Sequence, residues 1–511
     1  MLGFERRRNY LNDDYSSLLM SLQGEIDQKW QDRLQRIRTN WNFYEGYHWE
    51  DMSAQDTPEL SVNYCRAFVN KFVSFELGKG FSFSTHSNAH NKPITADGMT
   101  LFDFLEYVWD DNEQGKWCID MGITKSVTGE AWVRVAFEES TQDTDPFNEY
   151  EHGRITIPIM PTNVVFPEFD PHDSKRLVRL TIMYVYKKRV QEGVLGRYRE
   201  EDTVFRQVWT NETITTRDGK EEPVTVKNKY GVIPFVQIKN LSLVGKDEGV
   251  SDLEDIIPLN TEYNMKQSNV SEIIDYHSSP VTVVYGARIS NIEKGANKLW
   301  GGLPKDAKVE NLEMKGDSGL SKNYIDSLKL SMCEVGNIPE TVLGGASAIS
   351  NTSGVALQYI NLPLIERTRM KRQETISGIV RLNKMIILVA LCEGLITKPA
   401  DVSNRDFYNT ECELPDTLPK DTLIELQQIQ MEMTMGIEDR QGAMKRMGKE
   451  NIDELLNRID EDRAKHPEIY GSIGKKGTSE NGNPSLNSGL TNSETPAEHM
   501  RIALNGKNGN D

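Results

Sequence analysis

Residues 337–356, with the sequence NIPETVLGGASAISNTSGVA, decide how this chain is interpreted, because they join two helical patterns and carry no catalytic side chain. Upstream, apolar residues at helical spacing predict a helix over residues 321–335, which Gly336 would cap and Pro339 would prevent from continuing. A long second helical pattern follows. The segment is therefore predicted to be a gate or hinge between helices. On this segment alone, an ordinary interhelical loop of an enzyme is an equal alternative.

Composition sets the size and charge of the protein. The chain has 511 residues and a hydrophobic fraction of 37%, with a mean hydropathy of -0.55. It exceeds the size at which single cores stop growing, so several domains or an elongated subunit are expected. The 59 Lys and Arg residues against 77 Asp and Glu residues give a net charge of -18. This charge argues against a protein that grips nucleic acid along a broad basic surface.

The cysteines and apolar runs favour a reduced compartment and no membrane. The five cysteines are widely spaced and form no CxxC pair, which makes a zinc ribbon or a disulfide scaffold improbable. The apolar run over residues 385–391 is far shorter than the roughly 20 residues that a bilayer span needs, so we expect a buried helix segment. No apolar stretch follows the early arginines, so a secretory signal is not expected.

The periodicity along the chain predicts an α+β fold. Residues 10–70 are predicted to be helical, with an apolar stripe and a solvated group of arginines. The stripe is Trp30, Leu34, Ile37 and Trp41, and the arginines are Arg33, Arg36 and Arg38. Alternation from Glu130 predicts a half-buried strand. Further strands are predicted over residues 155–159, 164–166, 177–186, 203–209 and 224–227, with a hairpin turn at Asp218 and Gly219.

The second half of the chain is predicted to be mostly helical. A helical region should begin near Gly249, where Ser251 and Glu254 have capping-box spacing and Pro258 should break or kink the first turns. An insert with extended pieces at 280–285 and 307–314 separates it from the helix over residues 321–335. A long, kinked core helix is predicted over 353–395, with Pro363 about ten residues in, at the first turn of its main part. Short amphipathic stretches over 423–435, 438–447 and 451–463 and a disordered tail over 471–511 follow.

A search for chemistry finds no catalytic, metal or cofactor site. No GxxxxGK[ST] phosphate loop or GxSxG elbow is present. His86 and His90 have the spacing of a metal pair but lack the glutamate of HExxH, and acidic pairs such as Asp110 and Asp111 are more typical of solvated surface. We therefore expect a protein that is not an enzyme and binds no cofactor.

Two basic groups are the candidates for contacts with nucleic acid. Arg367, Arg369, Lys371 and Arg372 lie in the first turns of the long helix after the loop. Contact with DNA, pairing with acidic residues of another subunit, and solvated surface all remain open for these cations. Lysines of the insert form a second, weaker group: Lys298, Lys305, Lys308 and Lys315.

Six segments in chain order resemble portal proteins of tailed double-stranded DNA phages, most of all those of siphophages of Gram-positive hosts. The segments are residues 41–48 (WNFYEGYH), 63–83, 124–135 (TKSVTGEAWVRV), 229–240 (KYGVIPFVQIKN), 249–254 (GVSDLE) and 338–356. Residues 436–463 also resemble the crown segment of that group. The insert between the helices, by contrast, departs from the pattern of the family.

The resemblance implies a portal-protein fold, which is α+β and assembles as a ring, usually of twelve subunits. Its parts would be an N-terminal helical segment (1–62), a β-rich wing (63–248), stem helix 1 (249–275), a small α/β clip (276–320), stem helix 2 (321–336), a tunnel-loop region (337–352), a long kinked wing helix (353–400), a helical crown (401–468) and a disordered tail (469–511).

The resemblance also implies roles for particular residues. The channel-facing tunnel loop would be Gly344, Gly345, Ala346, Ser347, Ala348, Ile349, Ser350, Asn351 and Thr352. Packing of the stem would use the apolar stripe of Ile325, Leu328, Met332 and Val335. Lys298, Lys305 and Lys308 would make clip contacts. Because the loop has no Lys or Arg, direct ionic contact with DNA is not expected there.

The implied function is a channel at one capsid vertex through which DNA is packaged, retained and ejected. The implied partners are other copies of the chain, double-stranded DNA, terminase, major capsid and scaffolding proteins, and neck or adaptor proteins, with no membrane. The protein would reside in the virion and, during assembly, in the host cytoplasm. Two alternatives remain open, another structural virion protein such as a minor capsid or adaptor protein, and an enzyme of unknown chemistry.

Overall fold

A computed structural model describes the chain over these ranges: residues 27–49, 60–90, 92–95, 98–141, 153–192, 197–278, 282–285, 308–311, 318–344, 359–415, 422–447 and 452–465. The chain divides into two compact units, Met1–Pro419 and Lys420–Asp511. Most of the predicted tunnel loop (345–352), the insert lysines Lys298, Lys305 and Lys315, and the predicted disordered tail lie outside the described residues.

The helices of the described residues alternate with strands in the first unit and follow one another in the second. They are α1 (Gln28–Glu45), α2 (Tyr64–Leu77), α3 (Ser87–His90), α4 (Leu101–Asp111), α5 (Gln114–Thr128), α6 (Ile256–Ser278), α7 (Ser318–Gly336), α8 (Leu362–Glu393), α9 (Asn404–Tyr408), α10 (Thr422–Met435), α11 (Arg440–Arg446) and α12 (Ile452–Lys465).

The strands pair antiparallel throughout the described part of the chain. They are β1 (Ser82–Thr85), β2 (Glu130–Arg134), β3 (Ala136–Glu138), β4 (Arg154–Thr156), β5 (Ile159–Met160), β6 (Val165–Asp170), β7 (Asp173–Glu192), β8 (Arg197–Trp209), β9 (Thr213–Asp218), β10 (Val224–Lys227), β11 (Phe235–Lys239), β12 (Thr282–Tyr285), β13 (Lys308–Asn311) and β14 (Thr410–Glu413). Over these residues the larger sheets have the orders β10-β9-β8-β7-β6 and β11-β2-β5, and the pairs are β1-β14, β3-β4 and β12-β13.

A first apolar cluster joins the long helix α8 to the sheet β11-β2-β5 and to helices α4 and α5. Ile379, Leu382 and Ile386 of α8 are fully buried against Val133 of β2 and Ile238 of β11. Burial of each such side chain contributes roughly 1.5 to 3 kcal/mol. The cluster makes α8 the central element of the first unit.

A second apolar cluster lies where helices α1, α2, α6 and α7 meet. Its buried members include Phe68 and Phe72 of α2, Ile256 of α6, and Met332 of α7. Leu364, in the first turn of α8, belongs to the same cluster. The elements on both sides of the predicted hinge are therefore anchored in one core.

Most predicted strands are confirmed, several with longer bounds. The strand predicted over 155–159 is split into β4 and β5, and β2, predicted to be half-buried, is buried on both faces, since Trp132 is buried as well as Val133. Strand β10 has the predicted limits, whereas β7 and β8 extend beyond theirs and pair from Leu180↔Trp209 to Glu192↔Arg197. The turn at Asp218 and Gly219 connects β9 to β10, with Gly219 at φ 60. The two extended pieces of the insert pair as β12 and β13.

Several helix predictions are corrected. The helical region predicted over residues 10–70 is interrupted, because α1 ends at Glu45 and α2 begins at Tyr64. Helix α6 begins at Ile256 and not near Gly249, so Pro258 lies in its first turn, where no intrahelical N–H donor is required, and does not break it. The hydroxyl of Ser251 donates to the Val127 carbonyl at 2.6 Å, so the predicted capping residue secures the chain to α5 instead. Helix α8 has Pro363 in its first turn, as predicted.

The second unit is a set of short helices. The side chain of Ile429 in α10 and that of Ala443 in α11 are buried, and Gly436 at φ 72 ends α10. Arg446 of α11 pairs with Glu432 of α10, and Arg440 of α11 pairs with Asp460 of α12 at 3.3 Å. These contacts hold consecutive helices of the unit together.

All five cysteines are reduced, and Cys65, Cys118, Cys333 and Cys412 are buried. Burial raises the pKa of the Cys65, Cys118 and Cys412 thiols to about 12, so they stay protonated at neutral pH. Among the described residues, α8 is long and apolar enough to cross a membrane by length and composition, and half of its apolar window is buried inside the chain. The predicted buried segment over residues 385–391 lies within this helix.

Candidate functional site

Helices α6 and α7 pack side by side in opposite directions and are connected through the β12-β13 hairpin. The antiparallel arrangement is evident because Tyr324 of α7 contacts Glu262 of α6 at 3.5 Å, whereas Leu320 lies beside Ile273. Together, α6 and α7 form a two-helix arm, and a small β hairpin lies between the two helices along the chain. Its geometry is that of a projecting element whose first helix emerges from the core at Ile256.

The predicted apolar stripe of α7 is buried at three of its four positions. Ile325, Leu328 and Met332 pack in the second apolar cluster of the chain itself. Val335 is a correction, since 42% of its surface is exposed. The helix turns about 100° per residue. Gly336, one residue later, is buried against Phe68 and is the last core-facing position of the helix.

Gly336 is needed where α7 crosses α2. A Cβ atom at this position would lie 2.3 Å from Cε1 of Phe68. The helix then ends in a left-handed residue, Asn337 at φ 54, and the Ile338 N–H donates to the Cys333 carbonyl at 3.0 Å. This is the hydrogen bond of a Schellman motif, with Ile338 buried behind it. The predicted cap at Gly336 is thus one residue early, and Asn337 takes the left-handed position.

The described start of the predicted tunnel loop follows directly. Glu340–Leu343 form a 3-10 turn, which Lys329 of α7 secures through a 2.5 Å contact with Glu340. Gly344 ends the turn at φ 101, a conformation that side chains rarely adopt. The chain is described again at residue 359, and Leu364 is buried in the same cluster as Ile338. Both ends of the loop are therefore fixed to one rigid base.

Beneath the exit of the loop lies a network of buried charges that sequence analysis did not anticipate. Lys371 of α8 is fully buried, with Nζ 2.6 Å from Asp252 Oδ2 and 3.6 Å from Glu76 Oε2. Lys125 of α5 is also fully buried, with Nζ 2.5 Å from Glu76 Oε1. Arg367 completes the network through Nη2, 3.0 Å from Asp252 Oδ1.

The network has neutral partners as well. Thr375 Oγ1 donates to Glu76 Oε1 at 2.6 Å, and Ser126 donates to Asp252. Both cations of α8 lie over the ring of Phe72, at 4.9 Å for Arg367 and 4.8 Å for Lys371. Such contacts add about 0.5–2 kcal/mol each. The network ties α2, α5, α8 and the segment before α6 together.

The electrostatics of the network follow from competition between burial and charge pairing. Burial raises the pKa of the Asp252 carboxyl, but Lys371 and Arg367 outweigh this effect and lower the pKa to about 2. Burial likewise acts against Glu76, yet Lys125 and Lys371 leave its pKa lowered. For Lys125, burial lowers the pKa more than Glu76 raises it. Both carboxyls are therefore ionised at neutral pH.

The four cations proposed for DNA or intersubunit contact now separate into two kinds. The predicted surface contact is wrong for Lys371, because its ammonium group is buried and pairs with Asp252 of the same chain. Arg367 is mostly buried beside it, and Arg372 donates to the carbonyls of Phe75 and Pro415 at 3.1 and 2.8 Å. Arg369 is exposed and retains both candidate roles.

Arg33 is a second correction. We expected a solvated arginine, but its side chain is buried, with Nη2 2.7 Å from Glu130 of β2 and Nε 3.3 Å from Glu248. Its Nη1 donates to the Val165 carbonyl at 3.0 Å. Arg36 also contacts Glu248. These contacts fix α1 to both larger sheets of the first unit.

Buried asparagines fix the start of the two-helix arm. Asn260 Nδ2 donates to the Val62 carbonyl at 2.9 Å, and the Val62 N–H donates to Asn264 Oδ1 at 2.9 Å. Asn264 also contacts His48 Nδ1 at 2.8 Å, and burial lowers the pKa of that imidazole. The spacing of Asn260 and Asn264, one turn apart in a helix with a thin apolar stripe, was the available signal for this contact.

The remaining candidates have simpler places. Lys308 is the first residue of β13 and pairs in register with Tyr285. His86 and His90 lie at the ends of the short helix α3 region. Over the described ranges, no three His, Cys, Asp or Glu side chains converge to form a metal site.

One comparison with known proteins is informative. A family model described as phage portal protein, SPP1 Gp6-like, matches residues 23–467. A search of curated proteins found no match.

Proposed function

The chain belongs to the SPP1 Gp6-like phage portal protein family and acts as a portal at the capsid vertex, and from this premise we propose how its parts serve that function. In the proposal, about twelve copies form a ring, and DNA passes through the ring during packaging and ejection. Terminase docks on it during packaging, and neck or adaptor proteins dock afterwards. Capsid and scaffolding proteins surround the ring. The host would be Gram-positive.

The observation that carries this proposal is the two-helix arm with its hairpin. A pair of antiparallel helices that emerges from a mixed core and holds a small β module between them is suited to project from a ring. In this reading α6 and α7 are the stem, β12 and β13 belong to the clip, and the β-rich region is the wing. The second unit is the crown, and α8 is the long wing helix.

The loop between α7 and α8 would then project into the channel. Residues 344–352 include Gly344 and Gly345 and contain no cation, so they cannot clamp phosphates. Their base is rigid, since Ile338 and Leu364 are buried in one cluster. Motion would therefore be confined to the loop, and the proposed action is by shape and backbone mobility.

Charge supports the same proposal. A basic wall would hold DNA through many released counterions and oppose sliding. The chain has a net charge of -18, and Lys371, Arg367 and Arg372 are engaged within the fold. A channel wall with few free cations would permit DNA to pass.

The test is the mass and shape of the purified protein. Light scattering should give about 700 kDa for about twelve chains of 58.1 kDa each, and negative-stain images should show rings with a central channel. Procapsids that contain the protein should protect DNA from nuclease when terminase and ATP are added. A stable monomer that neither forms rings on procapsid assembly nor supports packaging would contradict the proposal.

A further inference from the structure

We propose that a cationic groove between β11 and α8 binds the acidic face of helix α4 from a second copy of this chain. This inference rests on the proposed ring and assigns the contact that would join its neighbours. It concerns surfaces of the first unit alone.

The groove combines an apolar floor with a cationic rim. Its cavity volume is about 800 Å³. Four cations line it, Lys175, Lys239, Arg381 and Lys384, against one carboxylate, Glu374. Arg381 also donates to the Gln237 carbonyl at 2.8 Å, so the two lysines Lys175 and Lys384 are the main candidates for pairing. The apolar lining comes from Leu177, Phe235, Met385 and Leu388. In a chain with a net charge of -18, such a site calls for an occupant that brings both carboxylates and an apolar side chain.

Helix α4 presents that combination. Asp103, Glu106, Tyr107 and Asp110 have the spacing of one helix face, and all four are exposed. Tyr107 is 44% exposed in the centre of this acidic face. A tyrosine surrounded by charges is a typical anchor residue at protein interfaces, because its ring fills an apolar pocket while the rim charges pair.

The two surfaces face in different directions, as a ring requires. Trp109 of α4 donates through Nε1 to Asn383 of α8 at 2.9 Å, so Asn383 marks the side of α8 that faces α4. Arg381 and Leu388 of the groove lie about 140–160° away around α8. Groove and acidic helix therefore cannot meet within one chain, whereas a head-to-tail contact between copies joins them and leaves the same pair open for the next copy.

DNA is the competing occupant of a cationic groove, and the observations disfavour it. The apolar part of the lining gives phosphates no partner but can receive a tyrosine ring. Glu374, which accepts from Ser242 at 2.6 Å, opposes phosphates and carboxylates alike. An acidic helix with a central tyrosine suits the groove better than a phosphate backbone.

Charge reversal tests the pairing. The groove variant is Lys175→Glu with Lys384→Glu, and the helix variant is Glu106→Lys with Asp110→Lys. Each should raise the chain concentration needed for ring assembly by about tenfold or more, and the four-site variant should restore assembly. The control is Lys220→Glu with Lys227→Glu, the same charge change at exposed sites outside the groove, and it should assemble normally. Wild-type assembly by both pair variants, or no recovery in the four-site variant, would overturn the proposal.

Crosslinking tests proximity without disturbing charge at several sites. In a Cys392→Ser background, which removes the exposed cysteine, Tyr107→Cys combined with Lys384→Cys should give a ladder of multimers with a short bismaleimide. Neither single substitution should do so. Wild-type rings are verified first, so that loss of the interface is distinguished from failure of the ring itself. Intact rings without a ladder overturn the proposal, as does a groove variant that keeps its rings but loses affinity for a fluorescent DNA duplex.

Discussion

Asp252→Asn is the substitution that best tests the buried charge network. Asparagine has the shape of aspartate but no charge, and it leaves Arg367 without its carboxylate partner and Lys371 with Glu76 alone, at 3.6 Å. Because Asp252 lies just before α6, the proposed stem helix, while Lys371 lies in α8 after the proposed tunnel loop, the substitution weakens the connection between α6 and α8. We expect the variant to fold but with a markedly lower free energy of unfolding.

The magnitude follows from the pKa of the carboxyl. Its value of about 2 in the folded chain against 3.8 in the reference state corresponds to about 2 kcal/mol of stabilisation by the charged form. The buried ammonium of Lys371 also loses its nearer carboxylate and keeps only Glu76 at 3.6 Å, which brings the expected loss to about 3 kcal/mol. Since the folded pKa is lowered, this contribution is fully present above pH 3.8 and is lost as the pH falls from 3.8 through about 2.

The assay is urea unfolding followed by tryptophan fluorescence, at one chain concentration because assembly contributes to apparent stability. Asp255→Asn is the matched control, since Asp255 is exposed three residues away, and it should change stability by less than about 0.5 kcal/mol. The difference between wild type and Asp252→Asn should shrink as the pH is lowered from 4 to 2. A loss below about 0.5 kcal/mol at pH 7, or a difference that does not depend on pH in that window, would refute the reasoning.

Three further predictions concern the stem, the loop and the tail. Leu328→Asp should abolish soluble folded chain, because Leu328 is buried in the core of its own chain. The substitution loses roughly 1.5 to 3 kcal/mol of apolar burial and adds the cost of burying a charge. The control Lys322→Asp, at an exposed site, should leave expression and ring size unchanged. Replacing Gly344 and Gly345 with alanine should leave assembly and terminase docking normal but shorten the nuclease-protected DNA in a packaging assay, since Gly344 has φ 101; full-length protection would contradict a mobile gate. Truncation after Gly471 should leave the oligomer intact on a sizing column because the removed segment is rich in Gly, Asn and Ser, and monomers would show that the tail joins subunits.

Most of the helices and strands could be predicted from local patterns in the sequence. The alternation that begins at Glu130 identified β2 because one face of that strand meets α8 and the signal lies in adjacent residues. The stripe of Ile325, Leu328 and Met332 identified α7 for the same reason, with a period of 3.6. The prediction that Val335 is buried was wrong within the chain, because the spacing of apolar residues does not reveal that Gly336, one residue later, takes the contact with Phe68.

The buried charges could not be predicted from the sequence. Arg33 pairs with Glu130 and Lys371 pairs with Asp252, at separations of 97 and 119 residues. No local pattern distinguishes these cations from solvated ones, because burial is decided by which distant carboxylate the fold brings within 4 Å. The error at Ser251 is of the same kind, since its hydroxyl bonds to carbonyls of α5 and does not cap α6.

The direction of the α8 cations bears on how a portal treats DNA. A helix that leaves a channel loop with four cations in its first turns invites the interpretation that these side chains grip phosphates. In the fold, Lys371 and Arg367 turn inward to Asp252, and Arg372 turns to two carbonyls. A protein that makes fewer phosphate contacts releases fewer counterions from DNA, so its affinity for DNA is lower and depends less on salt. Three of the four cations therefore hold α8 in place, and Arg369 is the one that stays exposed. In the proposed channel, a wall with so few exposed cations would bind DNA weakly, as sliding requires.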